Sequence, residues 1–292
     1  MKYSFITRHK NTYPISLQCQ VLGVSRSGFY NYQRNIVNAP DDPEHQEMLH
    51  WVKKIADASD DSYGSRRMKR ALNALGFPVG RNKARKLMRE AGVQVRHRKK
   101  YKVTTNSKHQ QPVFDNLLSR QFDVSSPDQV YASDVTYIWT REGWLYLAVV
   151  IDLCSRKVVG WSMSSRMKAQ LVCDALKMAV WRRRPHAGLI HHSDRGSQYA
   201  SKAFRQLLKV NGFKGSMSRR GDCWDNAVVE SFFGSLKQER VQWRSYQTRY
   251  EAQQDVLDYI SMFYNSYRLH SYLGYVSPND FENQLMEMKK VA

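Results

Sequence analysis

The sequence predicts an α/β domain with a mixed sheet, preceded by small helical units and followed by a helical tail. Three observations favour this fold. Residues 1–95 have apolar positions at helical spacing between turn-rich breaks. The chain from Gln129 onward begins with three β-rich segments, and helical segments then alternate with short strands. An apolar content of 42% over 292 residues is sufficient for a sizeable core and excludes wholesale disorder.

The α/β region divides into five predicted strands and three predicted helices. The strands are expected at 130–139, 144–153, 157–163, 189–192 and 213–216. The helices are expected at 168–181, 198–211 and 222–241. Consecutive strands followed by alternating helices and strands indicate a mixed sheet of about five strands.

Two helical units are predicted before the sheet. Residues 16–32 read as a short helix, a turn containing Gly23, and a second helix capped by Ser25. This is helix-turn-helix spacing, with a plain αα-hairpin as the alternative. Three further helices are expected at 44–58, 65–75 and 82–90. Behind the sheet we expect a helix over 250–267 and an irregular segment around Pro278.

These elements suggest five sections of the chain. They are a helix-turn-helix at 1–40, a second basic one at 41–95, a basic linker at 96–126, the α/β core at 127–242 and the helical extension at 243–292.

Positive charge is concentrated before the α/β core. The chain has 46 Lys and Arg against 26 Asp and Glu, and Arg66–Lys102 alone contains 14 basic residues and one acid, Glu90. Such density favours a nucleic-acid partner, since a membrane-binding segment would carry a Trp- and Phe-rich face. The candidate DNA contacts in this stretch are Arg66, Arg67, Arg81, Lys83, Arg85, Lys86, Arg89, Arg98, Lys99 and Lys100.

Several protein classes are excluded by simpler features. The longest apolar run, Leu145–Ile151, is far shorter than the roughly 20 residues of a membrane span. The N-terminus has no long apolar segment typical of secretion, so a cytoplasmic protein is expected. The four cysteines are widely separated, which excludes a disulfide framework and a thiolate zinc site.

Three carboxylates in the α/β region form a candidate metal site. Asp134 lies in the first strand, Asp194 follows the fourth, and Glu230 lies in the last long helix, with 35 residues between the latter two. A central strand, a neighbouring strand end and a crossing helix can bring these side chains to one point. Hard oxygen ligands of this kind suit Mg²⁺ or Mn²⁺.

The spacing resembles the D-D-35-E signature shared by retroviral integrases and many bacterial transposases. Residues 1–280 as a whole are similar to the OrfB-type transposases of one large bacterial insertion-sequence family. The resemblance is carried by VYASDVTYI, GWLYLAVVIDLCSRKVVGW, HHSDRGSQY, SRRGDCWDNAVVESFFGSLKQE and YNSYRLHSYLGYVSPNDFE. It implies an RNase H-like core, Mg²⁺-dependent DNA strand transfer and recognition of the ends of a mobile element.

The partners expected from this resemblance are double-stranded DNA, at the element ends and at the target, and further copies of the chain on that DNA. In such families a leucine-zipper segment comes from an upstream frame joined by translational frameshifting. The resemblance therefore also implies a possible fusion to the product of an upstream frame.

Further residues are candidates around the carboxylates. Asn226 and Lys237 share one helix face with Glu230, so both are candidate DNA contacts; the alternative for Lys237 is an ordinary exposed lysine. Asp152 is the competing carboxylate, with strand-end hydrogen bonding as its alternative role. His191 and His192 flank the site and are interpreted as structural histidines rather than ligands.

The carboxylate set fits two-metal phosphoryl transfer, with two Mg²⁺ ions, or Mn²⁺ in their place. Water would first free a 3′-OH at the element end, and this hydroxyl would then attack a second phosphodiester. Two alternatives remain open from the sequence. One is a DNA-binding regulator that has lost catalysis, against which the three intact acids argue. The other is a nuclease of the same fold that cuts without joining.

Overall fold

The computed structural model describes residues 1–34, 42–96, 112–119, 121–219 and 226–291. The α-helices in these ranges are α1 (Lys2–His9), α2 (Ile15–Val21), α3 (Arg26–Tyr32), α4 (Pro43–Ala58), α5 (Ser65–Ala74), α6 (Arg81–Glu90), α7 (Ala169–Arg183), α8 (Ser197–Ala200), α9 (Lys202–Val210), α10 (Ala227–Glu239), α11 (Arg249–Asp258) and α12 (Pro278–Val291). The strands are β1 (Val130–Thr140), β2 (Gly143–Asp152), β3 (Val158–Ser164), β4 (Ile190–Ser193) and β5 (Lys214–Met217).

The strands form one mixed sheet in the order β3-β2-β1-β4-β5. β1 pairs antiparallel with β2 over its whole length, whereas its parallel pairing with β4 ends at the Ser133–Ser193 pair. The strand β5 lies parallel to β4. The predicted α/β class with a five-stranded mixed sheet is therefore confirmed. Because β1 continues beyond β4, its second half is paired with a described strand on one side only, near the predicted carboxylate site.

Both faces of the sheet are covered by helices. One core contains Leu147 and Val149 of β2 together with Phe232 of α10 and Tyr259, which follows α11. The other core contains Val150 and side chains of α7, α8 and α9. Helix α7 approaches the sheet closely at Gly160, where an added Cβ would collide with the backbone of Ala175 and Ala179. This close approach requires a residue without a side chain.

Two helical units precede the sheet, as predicted. In the first, Ile6, Cys19 and Phe29 form a small core. The turn between α2 and α3 contains Gly23 at φ +61°, and the side chain of Ser25 accepts a hydrogen bond from the Gly28 N–H at 3.0 Å. The predicted turn and cap are therefore present, whereas α1 was not predicted. In the second unit, α4, α5 and α6 enclose a separate apolar core.

The C-terminal prediction was partly wrong. The segment at Pro278 is not irregular but begins helix α12, because proline suits a first helical position and the Asp280 N–H donates to Ser277 Oγ at 3.2 Å.

The helix predicted over 198–211 is divided at Ser201, whose extended backbone ends α8 and whose side chain caps α9. Helix α11 continues as a π-helical segment, Tyr259–Tyr264, instead of remaining regular.

Two other sequence expectations concern membranes and cysteines. Among the helices described, none is long and apolar enough to cross a membrane. Cys19, Cys154 and Cys173 are buried free thiols, and Cys223 lies outside the described residues.

Candidate active site

The two aspartates of the predicted site are brought together by parallel strand pairing. Ser133 of β1 and Ser193 of β4 are partners in the register. Asp134 and Asp194 directly follow these two residues, so they are neighbours across the sheet although 60 positions separate them in the chain. Beyond this point β4 ends and β1 continues to Thr140.

The carboxylate of Asp134 is partly buried and lies near other carboxylates. Burial raises its pKa well above the usual value, and the nearby Asp194 and then Glu230 raise it further. The Val135 N–H donates to Asp134 Oδ1 at 2.7 Å and, with the ammonium of Lys237, acts in the opposite direction. An acidic group in such surroundings stabilises an added cation.

The loop after β4 fixes the position of Asp194. The Gly196 N–H donates to Asp194 Oδ1 at 2.9 Å, and Arg195 Nε donates to the Ser218 carbonyl at 2.7 Å. A Cβ built at position 196 would lie 2.9 Å from Asp194 Oδ1, so a larger residue would disturb the carboxylate.

Helix α10 brings Asn226, Glu230 and Lys237 to the same region. Burial raises the pKa of Glu230. The side chain of Asn226, at the start of the helix, donates from Nδ2 to the Ser133 carbonyl at 3.3 Å, and its buried Oδ1 has no hydrogen-bond partner among the described residues. The ammonium of Lys237 lies 5.0 Å from the centre of the Tyr137 ring. Burial lowers the pKa of Lys237, and the Asp134 carboxylate counteracts this change.

The donor chemistry at this place fits a hard divalent cation. The side chains there are carboxylates and an amide, the carboxylates repel one another, and the oxygen of Asn226 is buried without a partner among the described residues. Within the described part of the chain, however, no group of three His, Cys, Asp or Glu side chains is close enough to hold a metal ion. The aspartate pair is therefore assembled, whereas a complete ligand set that includes Glu230 is not.

Asp152 and the two histidines have structural partners. Asp152 accepts hydrogen bonds from the N–H groups of Asp128 at 2.6 Å and Ser155 at 2.8 Å, so both of its oxygens are engaged in the turn after β2. His191 is hydrogen-bonded to Ser133 at 2.8 Å, and burial together with His192 lowers its pKa to about 3. His192 is hydrogen-bonded to Ser216 at 2.9 Å.

The predicted DNA contacts on α5 and α6 separate into two groups. Most have side chains exposed to solvent, away from the buried stripe of each helix: Arg66, Arg81, Lys83, Arg85, Lys86 and Arg89. The apolar side chains of the same helices, Met68, Leu72, Ala84 and Leu87, are fully buried. One face of this unit is therefore strongly basic. The candidates Arg98, Lys99 and Lys100 lie outside the described residues.

Arg67 is an exception, because its guanidinium lies at an internal contact rather than on the basic face. It lies 3.5 Å from Glu239 at the end of α10. Arg268 binds the same carboxylate with two hydrogen bonds of 2.7 Å, and the Tyr259 hydroxyl donates to it at 2.7 Å. The prediction that Arg67 contacts DNA is therefore replaced by a role in joining α5 to the core. No local pattern indicates this ion pair, whose two residues are separated by 172 positions.

Two tyrosines lie near the carboxylates, and the sequence indicated no side-chain role for either of them. Tyr199 of α8 is buried, its hydroxyl has no hydrogen-bond partner among the described residues, and Asp134 and Asp194 add to the effect of burial in raising its pKa. Tyr137 contacts Lys237. In the sequence, the sign that Tyr137 lies near the site was its position on β1, three residues after Asp134.

Family models match most of the chain. Two models described as an integrase core domain match residues 124–223 and 230–286, and one described as an HTH-like domain matches residues 43–101. The first two matches contain all three predicted carboxylates, and the third contains the basic helices α5 and α6.

Solved structures with a related shape include viral integrases. An intasome of simian T-cell lymphotropic virus in complex with PP2A regulatory subunit B56 gamma is 14% identical, with a TM-score of 0.47 over 79% of this chain and 74% of the other. The catalytic core domain of BIV integrase is 18% identical, with a TM-score of 0.42 over 56% of this chain and 99% of the other. Since both scores are below 0.5, the assignment rests on the sequence relatives.

Curated relatives extend over nearly the whole length. The transposase InsF for insertion sequence IS3A of Escherichia coli (strain K12) is 43% identical over 285 residues, which is 97% of this chain and 99% of the relative. The uncharacterized 31 kDa protein of insertion element IS600 from Shigella sonnei is 42% identical over 92% of this chain and 99% of that protein. The chain thus belongs to the InsF-type family of insertion-sequence transposases and is a DNA transposase with an integrase-type core.

Proposed function

We propose that Asp134, Asp194 and Glu230 are the catalytic and metal-binding residues of this transposase, with two Mg²⁺ ions, or Mn²⁺, as the cofactor. The observation that carries the proposal is the parallel pairing of β1 and β4, which makes two partly buried aspartates neighbours although their like charges repel each other. Like charges that are held close together repel each other, so such a site is poorly stabilised without a cation. Cation binding is a sufficient reason for such an arrangement.

In this proposal each residue has a limited task. The carboxylates of Asp134, Asp194 and Glu230 hold the cations, and bound divalent ions supply Lewis-acid activation and neutralise charge at the phosphate. Lys237 binds a non-bridging phosphate oxygen and positions the DNA strand, because its ammonium lies close to Asp134. Asn226 orients a ligand or a base through its buried oxygen.

The proposed reaction consists of two phosphoryl transfers at one site. Water attacks the phosphodiester at the element end. The bond between phosphorus and the 3′-oxygen of the element's last nucleotide breaks, which frees a 3′-OH on the element and leaves the phosphate on the 5′ end of the neighbouring DNA. This hydroxyl then attacks a phosphodiester of the target, forming a new P–O bond as a target 3′-OH leaves. Each step exchanges one P–O bond for another, so no oxidant or protein nucleophile is required.

Recognition of the element ends is assigned to the basic face of α5 and α6, with Arg66, Arg81, Lys83, Arg85, Lys86 and Arg89 as phosphate contacts and Arg98, Lys99 and Lys100 as further ones. Neutralised phosphates release counterions, so this binding weakens steeply with salt. We further propose that the chain acts in the cytoplasm as a homo-oligomer on double-stranded DNA, in the five sections expected from the sequence, and as a fusion with an upstream frame.

The test is a joining assay with purified protein, Mg²⁺ and labelled element-end DNA. A joined product is expected, and it requires the divalent metal. Cleaved but unjoined DNA would indicate a nuclease instead. DNA binding without cleavage would indicate a regulator, which is the other alternative that the sequence left open.

A further inference from the structure

Three exposed aromatic side chains form a cluster at the hairpin end of β1 and β2. Trp139 is 59% exposed, Trp144 is 43% exposed and Tyr137 is 37% exposed. The Trp144 ring contacts both others edge to face, with centroids 4.7 Å from Trp139 and 5.0 Å from Tyr137. Single exposed aromatics are common on protein surfaces, but three in mutual contact form a continuous apolar surface. We call it the hairpin aromatic cluster.

The sheet register explains why the cluster is exposed. Trp139 is the direct partner of Trp144, and Tyr137 is the partner of Tyr146, so these rings lie on one face. Further along the same face, Ala148 and Val150 lie in the core that α7, α8 and α9 cover. The hairpin end extends past that core.

The surroundings of the cluster are positively charged. Lys237 lies 5.0 Å from the centre of the Tyr137 ring. Arg141 in the hairpin turn is exposed, and Arg249 Nε donates to the Trp144 carbonyl at 3.0 Å. One acidic residue, Glu142, lies beside Arg249. Aromatic rings next to several cations are suited to a ligand that combines flat rings with phosphates.

The cluster also lies close to the proposed active site, although side chains alternate along a strand, so that Tyr137 and Asp134 point to opposite faces of the sheet. Tyr137 follows Asp134 by three residues on β1, a separation of about 10 Å at the usual rise of a strand. Lys237 connects the two places, since it contacts Tyr137 and its pKa responds to Asp134. A DNA strand held at the carboxylates therefore has its next nucleotides within reach of the cluster.

We propose that the hairpin aromatic cluster is a stacking surface for unpaired DNA bases beside the scissile phosphate. The inference rests on the proposed function, because it takes the DNA strand to lie at Asp134 and Asp194. Trp139 supplies the most exposed ring for a base, while Lys237 and Arg141 bind the adjoining phosphates. Every base has a ring face, so this contact favours strand separation at the DNA end without reading its sequence.

An interface with a second copy of the chain is the other possible use of an apolar cluster. Charge favours DNA: the cluster lies among Lys237, Arg141 and Arg249, and the whole chain has a net charge of +20. A second copy would bring the same positive groups to this surface, whereas DNA brings phosphates.

The experiment measures binding of a duplex with a short single-stranded tail that contains 2-aminopurine, a base whose fluorescence is quenched by stacking. Full-length protein is used without divalent metal, so the result does not depend on catalysis. Trp139→Ala is expected to weaken binding of the tailed duplex about tenfold and to abolish the quenching. Binding of the same duplex with blunt, fully paired ends should change less than twofold.

Two further variants at this position separate stacking from simple apolar contact. Trp139→Phe should retain most of the quenching, whereas Trp139→Leu should lose it, because leucine keeps apolar area but has no ring face. The matched control is Trp181→Ala, on α7, whose side chain is 78% exposed and distant in the fold from the hairpin. It should bind like the wild type.

Unchanged binding and quenching with Trp139→Ala would overturn the proposal. A smaller molecular mass in solution, together with unchanged tail binding, would identify the cluster as an interface between copies. If tail binding follows this pattern but no joining is found with Mg²⁺, then the proposed function fails while the stacking surface stands.

Discussion

Replacing Glu239 by alanine should strongly destabilise the protein, because this buried carboxylate connects three parts of the chain. It is bound by Arg268, approached by Arg67 of α5 and hydrogen-bonded by Tyr259. The side chains of Glu239 and Arg268 are both only 5% exposed. Removal of the carboxylate leaves the Arg268 guanidinium buried without its counter-ion.

The expected loss is large for a single substitution. Breaking a buried ion pair by removing one partner costs about 3–5 kcal/mol, which corresponds to a fall in the thermal midpoint on the order of 10 °C. The matched control is Asp174→Ala on α7. Its carboxylate is 45% exposed and lies 3.6 Å from Lys177, a pair of the surface type that is worth about 0–1 kcal/mol.

Thermal unfolding of both variants measures this difference, and its pH dependence gives a second test. Burial alone would raise the pKa of Glu239, but Arg268 and its hydrogen bonds outweigh burial and hold that pKa below the usual value. A carboxyl with a lowered folded-state pKa contributes stability above its unfolded pKa of about 4.3 and loses it as the pH falls. The difference in free energy of unfolding between the wild type and Glu239→Ala should therefore become smaller at acidic pH.

Limited proteolysis should show where the structure loosens in Glu239→Ala. Because Arg67 lies on α5, the helical unit of α4, α5 and α6 should be released from the core earlier than in the wild type. A loss below about 1 kcal/mol, no greater than that of the exposed control, would refute the reasoning.

Three further predictions concern DNA and the carboxylates. Neutralising the four basic positions of α6 from Arg81 to Lys86 should weaken end binding and lower the salt slope by about 0.9 per lost phosphate contact, measured by anisotropy; an unchanged slope would contradict it. Lys237→Ala should markedly reduce the yield of joined DNA, and Lys237→Arg should retain part of that yield, while Mn²⁺ binding measured by calorimetry should be unaffected in both variants. Joining by the alanine variant at the wild-type rate would refute a positioning role for Lys237. Asp134→Asn should raise the thermal midpoint in metal-free neutral buffer, since a carboxyl with a raised pKa loses stability as the pH rises through it; a lowered midpoint would contradict this.

The sheet and the aspartate pair could be predicted because local patterns determine them. Alternating and apolar runs gave the strands, and motif spacing placed Asp134 and Asp194 at positions that strand pairing brings together. The N-cap at Ser25 could also be predicted, because a serine directly before a helix commonly accepts a hydrogen bond from a backbone N–H of the first turn.

Other features depend on contacts between distant parts of the chain. Whether Arg67 faces DNA or Glu239 is decided by how α5 packs against α10, which no local pattern encodes. The helix at Pro278 was missed because proline was read as a breaker rather than as a first helical residue. The exposure of Trp139 follows from where the covering helices end, which depends on the packing of the complete sheet.

Metal-dependent joining should require all three carboxylates, Asp134, Asp194 and Glu230. Joining of labelled element-end DNA in Mg²⁺ is compared among the wild type, Asp134→Asn, Asp194→Asn, Glu230→Gln and the exposed control Asp174→Asn, with DNA binding measured in parallel. We predict that the first three variants bind DNA normally but yield almost no cleaved or joined product, while the control joins like the wild type. Joining by Glu230→Gln at the wild-type rate would contradict the assignment of Glu230 to the metal site.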